Sequence, residues 1–252
     1  MNRRIPLAPV EGWTTVALTI LLCLTFAWSV DDARWVLGRP EYLDFLQWMV
    51  LGGVLVGFIG SKVGWGRWLT YVMGSVFAAL VVPLIVGSIE LRDGASLHQL
   101  YVATATAVAD AYSDIVVHNQ AATVQYLHYL LSLGLLVWAT SMFASYAIFG
   151  HHRPLNAVAV VGLLLVGNMA LTFNDQLRYL VVYSLAALFL LIRGHVIEEQ
   201  SEWLRRRIGD PASISSVYLR GGTAFVSIAV IGALVLTLFR SSRTRSCCRW
   251  AG

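Results

Sequence analysis

The chain has 252 residues, of which 58% are hydrophobic and 13% charged, with nine Trp and a net charge of +4. A soluble core cannot absorb so much apolar surface, which excludes an ordinary water-soluble domain. The basic residues sit at the ends of apolar runs and are not gathered into a groove-sized patch, so no nucleic-acid partner is expected.

A helix crossing a bilayer needs roughly 20 apolar residues, because hydrocarbon offers no water to pair with its backbone groups. Seven stretches reach or approach that length: 13–30, 43–59, 68–89, 126–149, 155–171, 179–192 and 221–239. They predict an all-α membrane protein, a bundle of about seven transmembrane helices. The sixth stretch has only 14 residues, so six spans, or a re-entrant segment, is the alternative.

In chain order, Arg3 and Arg4 ahead of the first run imitate a signal peptide. No small-residue cleavage site follows at Val30-Asp-Asp-Ala-Arg34, so the run reads as a retained helix. Residues 31–42 form a short polar connection. In the second span Gly53 and Gly57 lie four apart, as do Gly60 and Gly64, and Ser141 and Ser145 repeat the spacing in the fourth. Small residues at this spacing let membrane helices approach closely. Pro83 should kink the third span.

The 90–125 connection places Leu97, Leu100, Tyr101, Ala105, Val108 and Tyr112 at three- and four-residue intervals. This predicts one amphipathic outer helix, lying on the membrane or over the bundle. Asn168 is the polar intruder of the fifth span, and its expected role is an interhelical hydrogen bond. After the sixth span, Glu202 precedes Arg205 and Arg206 at helical spacing, so the helix should run on until Asp210-Pro211.

Orientation follows from Lys and Arg, which favour the cytoplasmic side. With the N-terminus inside, the inner segments carry ten basic residues: Arg3, Arg4, Lys62, Arg67, Arg153, Arg193, Arg205, Arg206, Arg207 and Arg220. The outer loops carry four: Arg34, Arg39, Arg92 and Arg178. Seven spans then place the C-terminus outside.

Residues that carry chemistry are few. Asp114 and His118, four apart on one helical face, with His128 and Asp110 near them, are the weak metal candidates. The Asp-x-x-x-His pairing resembles the copper-binding stretch in the third subunit of membrane methane and ammonia monooxygenases, which would imply a metal-binding membrane oxidase subunit. His151 and His152 lie in a tight turn and read as interfacial polar residues. Cys23 falls in an apolar span, while Cys247 and Cys248 are adjacent in the tail without a His nearby. No catalytic residue and no cofactor is expected. No Asp, Glu, Lys, Arg or His sits at the centre of a span, which counts against a transporter or channel-like bundle, kept as the alternative function.

Residues 1–239 read as one polytopic domain, and 240–252 as a tail of different character, with four Arg in ten residues after nineteen without any. We read that break as a truncation or a shifted reading frame; a natural charged stop is the rival. The stretches Lys62-Val-Gly-Trp-Gly-Arg-Trp68, His151-His-Arg-Pro-Leu-Asn156, Asn174-Asp-Gln-Leu-Arg-Tyr-Leu180 and Tyr218-Leu-Arg-Gly-Gly222 are similar to the membrane-embedded N-terminal region of bacterial, actinobacterial-type, TgpA-like transglutaminase-like proteins. The resemblance implies a plasma-membrane anchor ahead of an extracytoplasmic transglutaminase-like domain whose Cys, His and Asp perform acyl transfer. Nothing in this chain matches those catalytic positions, so the expected partners are the lipid bilayer and a downstream or separately encoded extracytoplasmic domain.

Overall fold

A computed structural model of the chain describes residues 12–33, 43–90, 96–116, 127–172, 176–206 and 221. Among them lie seven α-helices and no strand: α1 Trp13–Asp32, α2 Phe45–Val63, α3 Arg67–Glu90, α4 Leu97–Val116, α5 Leu127–Phe149, α6 Pro154–Leu171 and α7 Leu177–Arg206. All but α4 are long and apolar enough to cross a membrane. The protein is therefore a multi-pass membrane protein built for a lipid surround. The short sixth stretch lies in a helix long and apolar enough to cross, because α7 begins at Leu177 and keeps the hydropathy of a span through Ile197. The helix continues to Arg206, as the Glu and Arg spacing predicted. The stretch 221–239 and the tail 240–252 lie outside the described residues, apart from helical Gly221.

The chain divides into two compact units, Met1–Tyr183 and Ser184–Gly252. The second is described only as the remainder of α7 and Gly221. In the first, α5 is the central helix and packs against α1, α2, α3, α4 and α6. Its span is 61% buried, whereas that of α6 is 22% buried.

The closest seam joins α2 and α5, where the two small-residue pairs meet. A methyl group on Gly53 would lie 2.6 Å from the Trp138 carbonyl oxygen and 3.0 Å from Ser141 Cβ. One on Gly57 would lie 2.5 Å from the Met142 carbonyl oxygen and 2.9 Å from Ser145 Cβ. Ser145 Oγ donates to the Val54 carbonyl at 2.9 Å, so backbone approach and a hydrogen bond coincide. Gly60 and Gly64 do not form such a pair. Gly60 packs against Thr70 of α3, while Gly64, at φ 75°, is the left-handed residue that ends α2, with open space around it.

Pro83 lies inside an uninterrupted α3. A proline there has no N–H for the carbonyl four residues earlier and loosens the neighbouring bond. Tyr101 of α4 donates its hydroxyl to the Leu80 carbonyl beside that break. Leu100, Thr104 and Ala107 of α4 are buried, and the Leu100 carbonyl packs over Gly87 of α3. The predicted apolar stripe divides. Leu97, Val108 and Tyr112 stay exposed, so α4 buries its small-residue side on the bundle and turns apolar residues outward.

Candidate functional site

Polar side chains from several elements meet at each of the two ends of the first unit's bundle. At one end α1 finishes at Asp32 and α6 at Leu171, just before the start of α7. Here Asn168 Nδ2 donates to Ser29 Oγ at 2.8 Å, Ser29 Oγ donates to Gln176 Oε1 at 2.6 Å, and Gln176 Nε2 donates to the Ser29 carbonyl at 2.9 Å. All three side chains are buried. The expected interhelical role of Asn168 is thus observed, and Ser29 and Gln176 are the partners that spacing alone did not reveal. Outside this latch, Arg178 meets Asp32 at 2.8 Å, an exposed pair of small energetic weight.

This network closes on itself. Elsewhere along α1, Thr19 donates to the Thr15 carbonyl and Thr25 to that of Leu22. No buried side-chain nitrogen or oxygen among the described residues lacks a hydrogen-bond partner. No Asp, Glu, Lys, Arg or His is buried among the residues whose side-chain burial is described. The described interior carries no charged relay of the kind that moves ions or protons through a bundle.

The opposite end is different. The α2–α3 and α5–α6 turns lie side by side there, joined by the Tyr146 hydroxyl, which donates to the Trp65 carbonyl at 3.3 Å. Gly64 ends α2 and α3 starts three residues later, which places Arg67 and Trp68 at the first turn of α3. In the α5–α6 turn the Gly150 N–H bonds to the Tyr146 carbonyl at 2.8 Å and the Arg153 N–H to that of Ala147 at 2.9 Å. His152 takes a left-handed φ of 52°, and Arg153, held out of helical geometry by the following proline, caps α6.

Between these turns lies a cavity of about 640 Å³. Arg67, Trp68 and Tyr71 line it from α3, Phe143 and Ala147 from α5, and His151, Arg153 and Asn156 from the turn and the start of α6. Among the described residues no carboxylate lines it. Two helices begin at its edge and turn the positive ends of their dipoles toward it. Two guanidinium groups, a phenol and an amide border this space, and each can donate a hydrogen bond to an anion. His151 also packs edge-on against Tyr146, with ring centroids 5.2 Å apart.

The metal candidates do not assemble in this description. Asp114 lies near the end of α4, His118 falls outside the described residues, and His128 opens α5 with its ring 4.0 Å from that of Tyr129. Among the described residues no three His, Cys, Asp or Glu side chains come together to hold a metal ion. Cys23 is buried in α1 beside Ser141, within the core. Sequence reasoning treated Arg67 and Arg153 only as markers of topology. Their partnership needed the two turns to be brought together, although both share a local pattern, an Arg at the start of a span directly after a tight turn.

No known family profile, curated protein or solved structure matches the chain.

Proposed function

We propose that this protein is the membrane anchor of an extracytoplasmic transglutaminase-like domain carried beyond the chain, held in a bacterial plasma membrane with its N-terminus in the cytoplasm. The observation that carries this reading is the closed interior. The α2–α5 seam is packed backbone against backbone, and the buried polar side chains are spent on hydrogen bonds between and within helices. A bundle of that kind positions something else, and it raises the effective concentration of a tethered domain toward membrane or wall substrates. The ten-to-four distribution of basic residues supports the orientation. The loop stretches that resemble TgpA-like proteins support the partner. The uncharged interior weighs against the transporter or channel reading.

The test is to read the coding DNA through and past the Arg240 codon in all frames. An open frame encoding a transglutaminase-like Cys, His and Asp is the expected result. Uninterrupted non-coding sequence there would remove the partner and the proposal with it.

A further inference from the structure

The basic cavity does not stand alone on the α3–α5 face. A second hollow of about 380 Å³ is bounded by the same two helices, and its lining is apolar. On α3 it is formed by Gly74, Ser75, Ala78, Ala79 and Pro83, which follow Tyr71 of the basic cavity at helical spacing. On α5 it is formed by Met142, Trp138, Ala139, Leu135 and Leu131, which precede Phe143 in the same manner. Positions three and four apart share a helical face, so one seam carries charge at its end and a groove along its length.

The small residues make the groove. Gly74 receives Met142 and also accepts, through its carbonyl, the Trp138 indole N–H at 3.2 Å, which fixes the groove wall. Ala79 and Ala139 are exposed toward lipid. From Tyr71 to Pro83 the helix rises about 18 Å at 1.5 Å per residue, slightly more than half of a hydrocarbon core of about 30 Å. The groove therefore has the depth of one leaflet. Trp68, 75% exposed at the rim, stands where an interfacial tryptophan meets lipid headgroups.

We infer that this seam is a binding site for one anionic glycerophospholipid, with its phosphate in the Arg67–Arg153 cavity and an acyl chain in the α3–α5 groove. The charge of the cavity selects a phosphate without a compensating cation, and the apolar groove at the same seam selects a phosphate that bears a chain. The inference is independent of any domain carried beyond this chain.

The full chain, purified in detergent, is titrated by native mass spectrometry with dioleoyl phosphatidylglycerol, dioleoyl phosphatidylcholine and inorganic phosphate. With two arginines each contributing roughly fivefold, phosphatidylglycerol should bind about 25-fold more tightly than phosphatidylcholine. R67Q/R153Q should bring the two lipids level, while R178Q, at the other end of the bundle, should leave the preference intact. A139F, a substitution at a lipid-facing position, fills the groove and should weaken phosphatidylglycerol without changing phosphate binding, which keeps the test alive if the arginine variant fails to fold. Equal binding of the two lipids, a preference that survives R67Q/R153Q, or an A139F protein that binds phosphatidylglycerol normally would overturn the inference. Inorganic phosphate displacing the lipid at equal concentration would also overturn it, marking a site for a free anion.

Discussion

At the scale of single residues, the bundle is most sensitive where a side chain has no room or where one joins two helices. Gly57 is the sharpest, since any β-carbon there meets the Met142 carbonyl at 2.5 Å. Gly57→Val should lower stability by about 1–3 kcal/mol through overpacking, read as a fall in thermal unfolding temperature in detergent. Gly167→Ala, with nothing within 4 Å, should leave that temperature unchanged or slightly raised. Asn168→Leu removes the donor that joins α6 to Ser29 and should cost about 1 kcal/mol in the same assay, in keeping with interhelical hydrogen bonds in membranes. The small-residue spacing of Gly53, Gly57, Ser141 and Ser145 was legible in the sequence because close approach demands a fixed residue type. The pairing of Gly57 with Ser145, and not with another small residue, was not legible, because spacing along one helix does not name its neighbour. Gly64 shows the same limit: a glycine that ends a helix and a glycine that packs look alike until the backbone is known.

At the scale of elements, the spans were readable because length and hydropathy are set by the bilayer itself. The 179–192 stretch is short of a span by itself, and it reaches one because α7 runs from Leu177 through Ile197 at a hydropathy that Arg178 and Arg193 do not cancel. Helix α4 was legible as a helix, yet its apolar stripe divides. Leu100 is buried together with Thr104 and Ala107, close to Gly87, while Leu97, Val108 and Tyr112 stay exposed. Tyr101 holds α4 to the carbonyl beside Pro83. Tyr101→Phe should therefore release α4 and the 80–84 segment together, with amide hydrogen exchange in both rising about fivefold for the loss of roughly 1 kcal/mol. Exchange confined to α4 would show that the tyrosine does not support the proline break. The basic cavity was the least legible feature of all. Arg67 and Arg153 are 86 positions apart in the numbering, and only the adjacency of two turns makes them one site.

At the scale of the whole molecule, the proposed anchor rests on a described interior without buried charge and on basic residues concentrated on one set of turns. That reading requires the turns at 64–66 and 150–153 to face the cytoplasm and the chain beyond its last apolar run to face outward. The most direct measurement uses a background in which Cys247 and Cys248 are serine and single cysteines are introduced as Gly66→Cys, Ser96→Cys and Arg240→Cys. Each variant is treated in intact cells with a membrane-impermeant maleimide. Ser96→Cys and Arg240→Cys should label at once, and Gly66→Cys only after lysis. If Arg240→Cys labels only after lysis, the chain leaves the membrane on the cytoplasmic side, and it cannot anchor a domain outside the cell.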